Sequence, residues 1–167
     1  MKLIKLAILS IVILFTVVLG ISLFIPSKIR ISRATNIRSA AGTVLGRIDD
    51  ISKWREWYPG FDTLQWQPVA SKDGRLVSVK MSSTSISIID KTPSLVRAEF
   101  RSGSRQPIMS GWEAKSYNQS DSLTLQWYLD FQLKWYPWEK FFSLAYDKMY
   151  GSQMEEGLAK LKQNVER

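Results

Sequence analysis

The side chains that could carry catalysis are few in kind, because the 167-residue chain contains neither histidine nor cysteine. A Ser-His-Asp triad, a cysteine nucleophile and an ordinary zinc site are therefore excluded. Proton transfer would fall to Asp, Glu, Lys or Tyr with a shifted pKa. Three carboxylates lie in strand-like segments: Glu99, Glu113 and Asp130. Each alternates with the apolar residues of its strand, so it is expected on the opposite face, in solvent. The sequence predicts no catalytic residue, no metal site and no cofactor.

Aromatic side chains are concentrated in residues 51–61, ISKWREWYPGF. Trp54 and Trp57 are three residues apart, so they share one face of a short helix that ends at a Pro-Gly break. With Tyr58 and Phe61, they are predicted to form a core plug that closes one end of the domain. The alternative is a gate at the mouth of a cavity, and neither interpretation makes them catalytic.

A second set of apolar and aromatic residues is predicted to line a cavity between a sheet and the C-terminal helix. Buried Trp N–H and Tyr O–H groups require hydrogen-bond partners, which suits an amphiphilic ligand. Periodicity does not distinguish such a cavity from a filled core, so both interpretations stand. The predicted ligand-binding residues are Val79, Met81, Phe100, Trp112, Leu125, Trp127, Leu129, Phe131, Tyr146, Met149 and Tyr150.

The elements that must position these residues follow from hydrophobic periodicity. A strand is predicted over 28–37, then a short helix over 39–48 with Ser39 as N-cap, and a second short helix beginning near Asp50 or Ser52. Six antiparallel strands follow up to Leu133, with an Asp-Gly hairpin turn at 73–74. Residues 138–165 have the apolar stripe of one long helix. The pattern predicts an α+β helix-grip fold, with a curved antiparallel sheet wrapped on that helix.

Gly151 and Gly157 interrupt the predicted long helix, and each costs roughly 1 kcal/mol relative to alanine. Two compensations are possible: a close approach of the helix backbone to the sheet, or room for a ligand. The second would favour the cavity interpretation.

The N-terminal segment is predicted to be a membrane anchor. Residues 6–25 carry no charge, and 20 helical residues reach about 30 Å, the thickness of a bilayer core. A cleavable signal peptide is the alternative, but the run is longer than the usual apolar region and no A-x-A-like site precedes Pro26. We assign residues 1–27 to a single-pass anchor in the cell membrane and 28–167 to the domain, which is expected on the extracytoplasmic side.

Two features of the sequence indicate which partners the protein has: its net charge and the aromatic residues between 135 and 138. The net charge is +8, but the basic residues are scattered and no nucleic-acid motif is present, so the membrane is the expected partner and nucleic acid is not. Trp135, Tyr136 and Trp138 follow the last predicted strand and are predicted to lie at the membrane interface. An ordinary turn packed on the start of the helix is the alternative. The sequence does not identify a protein partner.

Two segments resemble the START-like, SRPBCC-type superfamily of polyketide cyclase/dehydrase and lipid-transport proteins. Residues 29–61 resemble the opening of these proteins, where a strand and a small-residue helix precede an Asp-x-x-x-Trp-x-x-Trp-x-Pro pattern. Here that pattern is Asp50, Trp54, Trp57 and Pro59. Residues 149–166 are similar to their closing helix, with its Gly-Leu-x-x-Leu-Lys run at Gly157, Leu158, Leu161 and Lys162.

The resemblance implies a hydrophobic cavity between the long helix and the sheet, and it supplies no catalytic residue that can be transferred. The first hypothesis is therefore a membrane-tethered module that binds a hydrophobic or amphiphilic, lipid-like molecule without turning it over. The alternatives are an enzyme resembling a polyketide cyclase or dehydratase, and an envelope module that docks a protein partner through exposed aromatics.

Overall fold

The computed structural model describes residues 2–103, 105–116 and 122–167, and it confirms the predicted order of elements except that the final helix is divided in two. The helices are α1 (Lys2–Leu23), α2 (Ala41–Ile48), a 3₁₀ helix (Ile51–Glu56), α3 (Pro137–Ser143) and α4 (Tyr146–Val165). The strands are β1 (Lys28–Ile37), β2 (Gln67–Lys72), β3 (Arg75–Met81), β4 (Thr84–Lys91), β5 (Leu95–Ser102), β6 (Ile108–Ser116) and β7 (Leu123–Gln132). The fold is α+β.

The seven strands form one curved antiparallel sheet in the order β1-β7-β6-β5-β4-β3-β2. The first strand therefore pairs with the last, and Ile31 lies opposite Leu129 in that register. The β2–β3 turn has positive φ at Asp73 and Gly74, as the Asp-Gly hairpin signal predicts. Helix α4 packs across β1 and covers the apolar face, which gives the helix-grip arrangement.

Strand β7 shows why one face of the sheet is apolar. Its odd-numbered residues from Leu123 to Phe131 are all buried, because successive side chains point to opposite faces. Tyr128 is also buried although it lies on the outer face. The Tyr128 ring lies over Gly111 of β6, which has no side chain to displace it. The Arg30 guanidinium lies 4.1 Å from the centroid of the Tyr128 ring. The outer face is therefore less uniformly solvated than alternation predicts.

The two short helices begin differently from one another. Asp50 caps the 3₁₀ helix as expected: its carboxylate accepts hydrogen bonds from the Ser52 N–H at 3.1 Å and from the Leu76 N–H of β3 at 3.2 Å. Burial raises the pKa of this carboxyl, but a hydrogen bond from the Ser52 hydroxyl at 2.6 Å, together with the two backbone N–H bonds, outweighs it and holds the pKa below its usual value. The prediction of Ser39 as N-cap of α2 was wrong. The N-cap is Ala40, which supplies no side-chain hydrogen bond.

The prediction of one helix over 138–165 was also wrong, because the segment folds as two helices with a break at 144–145. The backbone N–H groups of Leu144 and Ala145 donate to carbonyls three residues earlier, at Phe141 and Phe142. These tight i→i−3 bonds end α3 and turn the chain into α4. The break rotates the first apolar residues of the segment away from the sheet. As a result Phe142 is exposed and Met149 is 48% exposed.

Helix α1 is long and apolar enough to cross a membrane: it has 22 residues and a mean hydropathy of 2.9 over its most apolar window. A signal sequence passes the same test of length and composition. The C-terminal end of α1 contacts α3, so the apolar helix meets the domain at the end of the sheet where β7 finishes and β1 starts.

Candidate functional site

The predicted plug residues Trp54 and Trp57 lie in the core. Each is almost completely buried, and each indole N–H donates to a backbone carbonyl near the end of α2: Trp54 to Ile48 at 2.7 Å and Trp57 to Arg47 at 3.3 Å. Phe61 is equally buried. These side chains join α2 and the 3₁₀ helix to the sheet, whereas Tyr58, the fourth predicted plug residue, is only partly buried and packs against the core.

Two further tryptophans extend this cluster onto the sheet. Trp112 of β6 and Trp127 of β7 are cross-strand neighbours with ring centroids 5.5 Å apart, and Trp57 contacts both rings. The Trp127 indole donates to the Ser110 hydroxyl at 2.9 Å. Four large aromatic side chains therefore fill the middle of the layer between the sheet and α4.

Five of the predicted lining residues do not border open space, because they are packed in the core or project from the surface. Val79, Trp112 and Leu125 are completely buried core residues, and Met81 is a half-buried neighbour of the core. Met149 projects from α4 with nearly half of its surface exposed. None of the five lines the two cavities described next. Periodicity placed four of them on the correct face of the sheet, but it carries no information on how much space remains there.

A small cavity of about 80 Å³ remains between the sheet and α4. This is well below the roughly 300–1,000 Å³ of typical small-molecule pockets. Four predicted lining residues, Phe100, Trp127, Leu129 and Tyr150, do surround it. The complete lining is Tyr58, Pro59, Phe100, Ile108, Trp127, Leu129, Tyr150, Gln153 and Met154.

A larger groove of about 450 Å³ lies at the end of the sheet, where β6 begins and β7 ends beneath α3 and α4. It adjoins the small cavity, because Ile108 and Tyr150 line both. The groove is lined by Arg105, Gln106, Pro107, Ile108, Phe131, Gln132, Leu133, Lys134, Tyr136, Trp138, Glu139, Phe142, Tyr146 and Tyr150.

Only part of this groove was foreseen as a binding site. Phe131, Tyr146 and Tyr150 were predicted ligand contacts, and their rings pack together with centroids 4.8 to 5.7 Å apart. Ile108 and Phe142 were missed, because Ile108 opens a strand after a loop and Phe142 was assigned to a single long helix. The available signal was the pairing of β1 with β7, which places the end of β7 and the residues that follow it beside Lys28 and the end of α1.

The cavity and the groove differ in polarity. Among the described residues that line the small cavity none is charged, and Tyr58 supplies one phenol. Burial raises the pKa of Tyr58 far above its usual value, so the phenol stays protonated. The groove carries Arg105, Lys134 and Glu139 at its polar positions, and Glu139 accepts a hydrogen bond from the Lys134 backbone N–H at 3.2 Å. Partial burial is also the main cause of the raised pKa of Tyr146.

The acidic residues offer little catalytic chemistry. Glu99, Glu113 and Asp130 are partly exposed, and each forms an ion pair with a basic residue on the same face: respectively Arg101, Lys115 and Arg30. In the described ranges no group of three metal-ligating side chains occurs. Asp49 is a buried carboxylate that was not predicted as a candidate from the sequence. It forms ion pairs with Lys91 and Arg75 and lines neither the small cavity nor the groove.

The two helix glycines are sites of close approach, and the idea that they leave room for a ligand was wrong. A Cβ at Gly151 would lie 2.3 Å from Nη2 of Arg33, whose guanidinium binds Asp147 and Glu155 on either side along α4. A Cβ at Gly157 would lie 2.8 Å from Cζ3 of Trp127. The missing side chains therefore let α4 lie directly on β1 and on the tryptophan cluster.

No protein-family model matches the chain, and no curated protein matches it by sequence. Solved structures do match its fold. A START superfamily protein from Mycobacterium smegmatis superposes with a TM-score of 0.58 at 17% identity, over 82% of this chain and 97% of that one.

Two enzymes superpose similarly. Norcoclaurine synthase from Thalictrum flavum has a TM-score of 0.60 at 11% identity, over 83% of this chain and 94% of that one. The Zhui aromatase/cyclase from Streptomyces sp. R1128 has a TM-score of 0.58 at 11% identity, over 84% of this chain and 94% of that one. Identities this low carry the architecture and not the activity. The domain that follows the N-terminal apolar helix therefore has the START-like helix-grip fold.

Proposed function

We propose that the protein is a membrane-tethered module that binds a hydrophobic or amphiphilic, lipid-like molecule and does not turn it over. The observation that carries this proposal is the groove at the end of the sheet, which adjoins the small cavity at Ile108 and Tyr150. The groove has the volume of a ligand site, whereas the cavity between the sheet and the middle of α4 does not. The proposed site is therefore displaced from the centre of the domain toward α1.

The walls of the groove suit an apolar chain or ring. One wall is aromatic and consists of Phe131, Phe142 and Tyr146, whose rings pack against one another. A ligand can pack against these rings without forming a hydrogen bond to them. Each 100 Å² of apolar surface removed from water contributes about 2.5 kcal/mol before the costs of ordering are subtracted. Burial of a lipid chain along this wall accounts for affinity without any specific polar contact.

The polar end of the groove suits an anionic head group. Arg105 and Lys134 both line it, and in the described part of the chain neither side chain forms an ion pair with a carboxylate. Glu139 reduces the positive potential but is engaged by the Lys134 backbone. A carboxylate or phosphate on the ligand would find two cations at the mouth and aromatic rings inside.

An enzyme is the second candidate, and the observation that favours it is the Tyr58 phenol on the wall of the small cavity. The raised pKa of Tyr58 makes this phenol a hydrogen-bond donor and a poor general base near neutral pH. No carboxylate or lysine among the described lining residues of that cavity could complete an acid–base pair. In the groove, Glu139 already accepts a hydrogen bond from the Lys134 backbone N–H, so binding without turnover is the function that these two linings support better.

The proposal is tested by photo-crosslinking the full chain in liposomes with a fatty acid that carries a diazirine in its acyl chain. Labelled peptides are expected to include residues 105–108 and 146–150, which line the groove outside the α3 segment and so report on the groove itself. Ile108→Trp fills the junction of groove and cavity, and we expect it to lower labelling of these peptides about tenfold, equivalent to about 1.4 kcal/mol in affinity.

Val69→Trp on the exposed edge strand β2 is the matched control and should leave labelling unchanged. Labelling of α1 by surrounding lipid serves as the internal reference for incorporation. Equal labelling of residues 146–150 in the wild type and in Ile108→Trp would show that the probe reacts from outside the groove, and the proposed site would be abandoned.

A further inference from the structure

We propose that residues 135–144, from the end of β7 through α3, form an interfacial segment that lies in the head-group region of the bilayer spanned by α1. The mouth of the groove then faces lipid. This inference rests on the membrane tether of the proposed function but requires no bound ligand. It adds a second contact of the domain with the membrane.

The connection between α1 and the domain is short and hydrogen-bonded. Four residues, 24–27, separate the end of α1 from the start of β1. The Ser27 carbonyl accepts from the Leu133 N–H at 2.8 Å, which joins this connection to the end of β7. The domain is therefore held against the end of the apolar helix and is not suspended on a flexible linker.

Lys140 of α3 fixes the same junction from the other side. It is only 5% exposed, and its ammonium group donates to the Ile25 carbonyl at 2.9 Å. Ile25 lies two residues beyond the end of α1, close to the helix C-terminus, whose partial negative charge attracts cations. Burial of a lysine is costly unless its charge is compensated, so this contact orients α3 specifically relative to α1.

The depth of the junction follows from the length of α1. Its 22 residues extend about 33 Å, slightly more than the hydrocarbon core of a bilayer. When α1 spans that core, Ile25 lies at the boundary between hydrocarbon and head groups. Residues of α3 that contact this boundary are then at head-group depth without any further movement of the domain.

The surface at that depth is unusually apolar. Trp135, Trp138, Phe142 and Leu144 are each 58–69% exposed, and Phe24, which directly follows α1, is 90% exposed. Elsewhere in the part of the domain that the structure describes, large exposed apolar side chains come singly from separate segments: Leu64, Val69, Ile89 and Met149. Clustered exposure of this kind marks an interaction surface.

The chemistry of the cluster selects a bilayer as its occupant. Tyr136 and Trp138 stack with ring centroids 4.9 Å apart, and such amphipathic rings are enriched at membrane–water boundaries. Lys134 lies next to the cluster, where a cation is attracted to anionic lipid. The patch is also continuous with α1, so a bilayer that surrounds α1 reaches it without a separate binding partner.

The absence of cysteine makes a direct depth measurement possible. We would introduce Trp138→Cys and Leu144→Cys separately into the full chain, attach an environment-sensitive fluorophore, and reconstitute each protein into liposomes of phosphatidylcholine and phosphatidylglycerol. Val69→Cys on β2 is the matched control, since Val69 is 62% exposed and lies on the strand at the opposite edge of the sheet from β1.

Probes at positions 138 and 144 are expected to be quenched by lipid-borne quenchers and shielded severalfold from aqueous iodide, whereas the probe at 69 should show the reverse. Near-UV circular dichroism checks that each variant is folded. Iodide access at 138 and 144 equal to that at 69 would overturn the proposal. Shielding without lipid quenching, especially if it increases with protein concentration, would also overturn it, because the segment would then be covered by a second copy.

Discussion

Trp54→Ala is expected to lower the free energy of unfolding by about 3–5 kcal/mol, enough to unfold much of the protein at physiological temperature. Trp54 is completely buried, and its ring contacts those of Trp57, Tyr58, Phe61, Phe100 and Trp112. Truncation leaves a cavity at the point where the 3₁₀ helix meets the sheet. Chemical denaturation of the full chain in detergent, followed by tryptophan fluorescence, measures the loss.

Two variants make this expectation specific. Trp138→Ala removes the same side chain from an exposed position and should change the free energy of unfolding in detergent by less than about 0.5 kcal/mol. Trp54→Phe keeps an aromatic ring but leaves the Ile48 carbonyl without its indole donor, so an intermediate loss is expected. If Trp54→Ala and Trp138→Ala proved equally mild, the cluster would not be the core of the domain.

Gly157→Leu is expected to lower the free energy of unfolding by about 3 kcal/mol, although leucine is the better helix former by nearly 1 kcal/mol. A Cβ at this position would lie 2.8 Å from the Trp127 ring and 3.0 Å from Cδ of Pro59, both of which are rigid groups. The helix must therefore move away from the sheet to accommodate any side chain. The same denaturation experiment measures the change.

Gly46→Ala in α2 is the matched control for the helix propensity of glycine. A Cβ there would meet no atom within 4 Å, so we expect the free energy of unfolding to rise by up to about 1 kcal/mol. The two glycines should thus respond with opposite signs. A gain in stability at Gly157 would mean that α4 does not lie in contact with Trp127, and that space does exist under the helix.

Much of the fold could be predicted from local pattern. The alternation in β7 determines which face is buried, because neighbouring side chains in a strand point to opposite sides. The Asp73-Gly74 pair specifies a hairpin turn for steric reasons, and Asp50 was recognisable as a cap from its position before the aromatic run. Each of these signals acts within a few residues of the chain.

The prediction of the C-terminal helix failed because tertiary packing, and not local sequence, determines where that helix breaks. The break between α3 and α4 occurs at Leu144 and Ala145, which are good helix formers, so no glycine or proline signal marks it. α3 turns away from α4 to pack against the end of α1. Phe142 and Met149 consequently face away from the core, although their spacing matches the apolar stripe of a single helix.

The site itself was only partly predictable because residue type and face do not specify free volume. Val79, Trp112 and Leu125 have the same pattern as Leu129 and Phe131, yet the first three are packed in the core and the last two line open space. The difference lies in what each side chain meets across the layer. The four tryptophans fill the middle of the layer, and the break before α4 leaves space at the end of the sheet beneath α3.

The central claim is that the groove beside α1 holds an apolar molecule, and native mass spectrometry of residues 27–167 tests it most directly. The fragment would be prepared without detergent, and near-UV circular dichroism would establish that its tryptophans are packed. We expect one lipid-sized mass bound per chain in the wild type and in Val69→Trp, and its loss in Ile108→Trp. Bare protein in all three folded samples would contradict the claim.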